Sequence, residues 1–218
     1  MADQAEIGEN TSRRKLAQLV VGMLVGLGFG LVMSLVSNGF VSGVIWLTAL
    51  REAQLVAWLG LDPGFKSIMP LICLLVAAFL ILQVRRLFGI TRWHGPADSI
   101  FAAHRTDNEL DIRSGFGSTV AALISAGGGA SVGQYGPLVH FGATMGSALR
   151  RLTGGMLTTD VFIGCGVAGA IAAGFNAPIA GVVFAHEAIL RHFSMRAIAP
   201  IAVALSLIHI SEPTRRTP

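Results

Sequence analysis

The sequence predicts an all-α integral membrane protein whose shorter helices are broken and re-entrant, and three observations carry that prediction. Of 218 residues, 53% are hydrophobic and only 13% are charged, with a mean hydropathy of +0.67; a soluble domain is typically about 25% charged. Leu16–Val36 is free of charge and long enough to cross roughly 30 Å of hydrocarbon as a helix. Other apolar segments are short and interrupted by glycine and proline, as an ion-lining architecture at membrane depth requires.

Taken in order, Met1–Lys15 is polar, ends in Arg13-Arg14-Lys15, and is expected to be cytosolic and helical near its end. Within Leu16–Val36, Gly22, Gly26 and Gly30 fall four apart and make a smooth helix-packing face. Ser37–Lys66 carries Asn38, Arg51, Glu52 and the turn Asp62-Pro63-Gly64, so the first helix runs on past Gly43 into an external loop. Ile68–Val84 is the second span, followed by Arg85, Arg86 and Arg92. Basic residues flanking both spans put the N-terminus and the Arg85 region in the cytoplasm. His94-Gly95-Pro96-Ala97-Asp98 opens a short helix to about His104, and Arg105–Arg113 reads as a loop. Phe116–Ala130 and Pro137–Leu149 are too short to span upright. Val161–Ala185 breaks at Phe175-Asn176-Ala177-Pro178 into two helices, and a new apolar run begins at Ala197.

The chemistry centres on Ala126–Arg151. Gly127-Gly128-Gly129 leads into a second turn, Gly133-Gln134-Tyr135-Gly136-Pro137, ahead of an uncharged segment closed by Arg150-Arg151. Proline suits the first turn of a helix, where its missing N–H has no partner to lose. Glycines allow close approach and leave N–H groups bare. A helix start carries roughly +0.5 charge, so this one is a ready anion site. Inside an apolar chain it implies an anion held at membrane depth by a broken helix.

Other chemistries find little support. Cys73 and Cys165 lie in apolar runs, without a disulfide framework or metal spacing. His140, His186 and His192 form no recognised ligand pattern and read as polar helix-face residues. Glu187 and Arg191 stand at i, i+4 spacing, which suits an ion pair. The net charge of +4 fits cytoplasmic loops, not a nucleic-acid patch. No acid–base set marks an enzyme, and no metal or other cofactor is implied.

Two motifs resemble the CLC family of chloride channels and chloride/proton antiporters. GGGASVGQYGP is similar to that family's glycine-rich G-x-E-G-P signature, and AAGFNAPIAGVVFAHE, Ala172–Glu187, to its A-F-N-A-P-L-A-G-x-x-F-x-x-E segment. Asn176, Pro178 and Glu187 are the structural positions of the second motif. The resemblance spans about Leu16–Ala204. It implies the first of two inverted repeats, chloride or another small anion as the transported ion, a bacterial inner membrane, and a homodimer when full length. The anion-binding positions it implies are His94, Gly95, Gly133, Gln134, Tyr135, Gly136 and Pro137.

Departures from the pattern shape the functional expectation. The family's external gating glutamate falls on Tyr135, and its internal proton glutamate on Ala188. A phenol with a pKa near 10 cannot replace a carboxylate at neutral pH. A passive chloride pathway is therefore expected; the alternatives are a proton-coupled antiporter using other groups, or a membrane subunit without transport. His94 takes the place of the family serine that touches the central chloride.

Leu205–Arg215, LSLIHISEPTR, resembles translated adapter sequence, so Leu205–Pro218 is expected to be a non-native tail. The 16–204 region would then be the N-terminal half of a transporter, inactive alone.

Overall fold

In the computed structural model the described residues are 2–51, 60, 68–105, 110–133, 135–153, 158–191 and 201–202, with the backbone alone described at 2–19 and 22–23. Gln134, His192, Asp62-Pro63-Gly64 and the tail from Leu205 lie outside them. Seven α-helices follow one another, with no strand among the described residues. They are α1 (Ala2–Ala49), α2 (Met69–Phe88), α3 (Pro96–His104), α4 (Ile112–Gly127), α5 (Tyr135–Leu152), α6 (Thr159–Phe175) and α7 (Pro178–Phe184). A π-helical turn, Ala185–Leu190, continues α7.

α6 is the hub. It is apolar or small on every side, so it has no face to offer water, and every residue from Val161 to Ala173 is buried. α5 crosses it at backbone contact. A β-carbon on Gly142 would run into the Gly166 carbonyl, and one on Gly146 into the backbone of Phe162. Small residues that let backbones touch are the usual means of joining helices in lipid. α1 packs on the same hub by the opposite device: Phe29 and Met33 fill the notches at Gly166 and Gly169, approaching to 3.2 and 3.1 Å of where a β-carbon would stand. Gly26 and Gly30 of the expected smooth face are buried as well.

α1 is longer than the sequence suggested, helical from Ala2 through the polar segment. Its 48 residues make a rod of about 70 Å at 1.5 Å per residue. Leu24–Ala49 and Met69–Phe88 are long and apolar enough to cross a membrane. On α2, Leu71, Leu75, Phe79 and Leu82 are exposed, an apolar surface suited to lipid. Gly89, at φ 64°, ends α2 in the left-handed conformation that glycine adopts without strain. The predicted break in the Val161–Ala185 run falls at Asn176, with φ 52°, and Pro178 opens α7.

Two expectations need correction. His140 and His186 are not polar helix-face residues: both are buried, at 1% and 0% exposure, because α5 and the π-helical turn pack on neighbours from every side. The Glu187–Arg191 ion pair does not form among the described residues. The π-helical turn widens the spiral between them, and Arg191 leaves it at φ 53°, so the i, i+4 geometry of an α-helix is lost.

Candidate functional site

The two Gly-Pro helix starts singled out in the sequence meet in space. Gly136, in the first turn of α5, lies against the first residue of α3: a β-carbon there would stand 3.5 Å from Pro96 Cγ. The absence of a side chain at Gly136 lets the two starts close up. One turn further along the same face of α5, His140 meets the same segment. Its ring stacks on that of His94, centroids 5.9 Å apart at 13°, and its Nδ1 lies 2.9 Å from Ser99 Oγ. A turn beyond that, the Thr144 hydroxyl donates to the His140 carbonyl at 2.8 Å and its side chain packs on Gly115 of α4. Gly136, His140 and Thr144 thus form a stripe, each at i+4 from the last.

The two helix starts differ in how their N–H groups are met. At α3, the Asp98 carboxylate turns back and accepts the Gly95 N–H at 2.8 Å, while the Asp98 N–H donates to the Gly95 carbonyl. Arg92 forms an ion pair with the same carboxylate. Burial pushes the Asp98 carboxyl upward, but the Gly95 N–H and the Arg92 guanidinium outweigh it, and its pKa lies below the ordinary 3.8. The N–H of His94 donates to Ser118 Oγ of α4 at 3.2 Å. At α5, by contrast, the N–H groups of Gly133, Tyr135 and Gly136 meet no hydrogen-bond acceptor among the described residues. Gly133 is exposed and Tyr135, Gly136 and Pro137 are half-buried.

Tyr135 does not hang free at this start. Its ring stacks on Phe175 at the end of α6, centroids 3.9 Å apart at 24°, and its edge lies 3.1 Å from the position of a β-carbon on Gly174. This brings the glycine-rich motif beside the Asn176-Ala177-Pro178 break of the second motif. Glu187 is exposed and Ala188 half-buried in the π-helical turn.

Sequence reasoning placed His94, Gly95, Gly133, Gln134, Tyr135, Gly136 and Pro137 in one site; the structure joins their two turns at the Gly136–Pro96 contact, stacks Tyr135 on Phe175, and leaves Gln134 outside the described residues. It missed His140 and Ser99, which complete the polar cluster behind them, and Asp98 as the cap. The i, i+4 spacing of His140 from Gly136 was the available signal.

The family model described as voltage gated chloride channel matches residues 78–207. The chain is 23% identical over 190 residues to the voltage-gated ClC-type chloride channel ClcB of Yersinia pseudotuberculosis serotype O:1b (strain IP 31758), covering 87% of this chain and 46% of that protein. It is 30% identical over 180 residues to the putative chloride channel protein ClcB-like of Ralstonia nicotianae, covering 75% and 42%. Among solved structures, a slow cyanobacterial Cl−/H+ antiporter superposes with a TM-score of 0.65 at 20% identity, covering 92% of this chain and 50% of that one. A CLC-type fluoride/proton antiporter does so with 0.64 at 19%, covering 90% and 48%. The chain thus spans about half the length of the relatives it matches. Broken helices, their converging starts and the matched motifs together place it: the chain belongs to the voltage-gated chloride channel family.

Proposed function

We propose that this chain supplies one half of a passive, CLC-type chloride pathway, with the anion received at the start of α5. The observation that carries the reading is the set of N–H groups at Gly133, Tyr135 and Gly136 that meet no acceptor among the described residues, with the start of α3 brought alongside by the Gly136–Pro96 contact. Backbone dipoles aimed at one point stabilise a halide without any titrating group. Pro137 fixes the first turn, and Gln134 belongs to the same sequence motif. Gly95 serves as the turn that brings α3 close, since its own N–H is held by Asp98. Tyr135, stacked on Phe175, acts as the gate. Asn176 and Pro178 shape the neighbouring break, and Glu187 closes that motif at the surface.

Passive conduction is favoured over proton-coupled antiport because Tyr135 and Ala188 stand where the family carries its two carboxylates. The protein is no enzyme and needs no cofactor in this reading. It sits in a bacterial inner membrane with its N-terminus in the cytoplasm, homodimeric when complete. The 16–204 region is its transmembrane half, 205–218 is foreign to it, and the half alone does not conduct.

The test is paired flux. Chloride efflux and proton movement are recorded together from liposomes holding the complete protein. Chloride release without stoichiometric proton movement supports the reading; proton flux in a fixed ratio to chloride replaces it with antiport.

A further inference from the structure

α2 and α4 close on each other through glycine at two levels. A β-carbon on Gly117 would run into Phe88 and Ile90, and one on Gly128, just past α4, into Ala77. Away from those contacts the larger side chains hold the two surfaces apart, and two hollows of about 510 and 300 Å³ remain. They adjoin at Leu80 and Ile124, which line both. Ile72, Val76, Leu80, Val84 and Leu87 line them along one face of α2, at the three- and four-residue spacing of a helical stripe. The stripe runs about 22 Å at 1.5 Å per residue, more than half of the roughly 30 Å hydrocarbon thickness. Apart from Cys73 the lining is apolar except at its ends, Arg51 on one side and Gln83 and Arg86 on the other.

The two ends are not equivalent. The Arg51 guanidinium stands over Gly129 and has a partner within the fold. At the other end Arg85 donates to the Ile90 carbonyl at 3.1 Å and Arg113 to the Leu87 carbonyl at 3.0 Å. Both tie down the chain where α2 stops. Arg86, beside them, is exposed and makes no side-chain hydrogen bond or ion pair among the described residues.

We propose that the trough between α2 and α4 holds one singly anionic glycerophospholipid, its acyl chain lying along Leu80 and Ile124 and its phosphate on Arg86. An apolar trough that ends in a bare guanidinium is complementary to a chain with an anionic head, and the guanidinium fork matches a phosphodiester. A zwitterionic lipid carries the same phosphate together with a cation, which the gathered charges of Arg85, Arg86 and Arg113 repel. A second copy related by a two-fold axis along the membrane normal would bring its own Arg86 to the same depth, like charge facing like. On the proposed topology the head lies in the cytoplasmic leaflet. The site does not depend on where the chloride is received.

The test uses the full chain in phosphatidylcholine nanodiscs, with a trace of phosphatidylglycerol or phosphatidylcholine bearing a photoreactive diazirine on its acyl chain. Labelled residues are mapped by mass spectrometry. The expected result is labelling at Leu80, Val84 or Ile124 by the phosphatidylglycerol probe, competed by unlabelled phosphatidylglycerol and not by added phosphatidylcholine. Arg86→Gln should lower that labelling about fivefold, as the loss of one basic side chain weakens binding to anionic lipid. Arg86→Lys keeps the charge and should lower it less, and Ile124→Trp, which fills the trough, should abolish it. Equal labelling by the two probes, or no loss in Arg86→Gln, overturns the site. So does a disulfide joining two chains through Leu80→Cys, which makes this face an interface between copies. Soluble glycerol phosphate competing as well as the lipid overturns it too, since the trough then contributes nothing. Should Ile124→Trp not fold, the lipid competition and the exposed Arg86→Gln still decide. No outcome here alters the chloride reading, which paired flux tests separately.

Discussion

Tyr135 lies almost flat on Phe175, ring centroids 3.9 Å apart, so the first residue of α5 is fastened to the last residue of α6. This contact, with that of Tyr135 against Gly174, joins the two family motifs. A stacked pair contributes about 0.5–1.5 kcal/mol beyond its buried area. Tyr135→Ala and Phe175→Ala are each expected to lose that amount, and the double variant to lose less than the sum. Tyr135→Phe should unfold like the parent. Denaturant unfolding of the four proteins in detergent measures the coupling; strictly additive losses would show that the rings do not depend on one another.

The α5–α6 crossing leaves no room for a methyl group. Gly142→Ala is expected to cost about 1–3 kcal/mol by overpacking, since the new carbon meets the Gly166 backbone. Gly28→Ala on α1 has open space around it and should be neutral or stabilising by about 0.5–1 kcal/mol. Thermal aggregation of the purified variants separates the two; equal behaviour would contradict the tight crossing.

Asn176 ends α6 at φ 52°. Asn176→Gly should leave stability within about 0.5 kcal/mol, while Asn176→Val should lose about 1–2 kcal/mol because a branched side chain resists the left-handed conformation. Comparison of the two melting curves checks this.

Acid should loosen the loop on either side of α3. The Ser114 hydroxyl holds the Asp111 carboxyl down, burial works against it, and the N–H groups of Ser114 and Arg113 add to the lowering, so its pKa falls below 3.8. Asp98 is lowered too: burial works against the change, and its Gly95 and Arg92 partners outweigh it. Carboxylates held low in the folded state contribute their stability above the unfolded value, and lose it as pH falls through the folded values. Neutral pH therefore retains the full contribution and the loss begins below about 4. Asp111→Ala removes the cap that accepts the Arg113 N–H at 3.1 Å, and should cost about 1 kcal/mol at neutral pH while flattening the acid limb. Melting temperature followed from neutral pH down to about 3 reads both effects.

Local punctuation was legible in the sequence; distant partners were not. The Gly-Pro starts of α3 and α5, the second span, and the break at Asn176 all follow from the backbone preferences of one or two residues. The extent of α1 escaped because a polar helix carries no hydrophobic periodicity. His140 was misjudged because its burial depends on His94 and Ser99, which only the packing of α3 on α5 brings near. The Glu187–Arg191 spacing misled because it assumes an α-helical turn where the chain widens into a π-helical one. In the candidate site, Gly136 and Tyr135 could be named from their motif, whereas Asp98 as the α3 cap required the fold.

That cap makes the two helix starts unequal. A carboxylate tethered three residues from the N–H it accepts acts as a resident counter-ion, at an effective concentration that a dissolved halide does not approach. Of the two neighbouring helix starts, one carries its own carboxylate, and the other has no such cap among the described residues. On the proposed reading, an anion is received at the Gly133–Gly136 end and not at Gly95, whose N–H the carboxylate already holds.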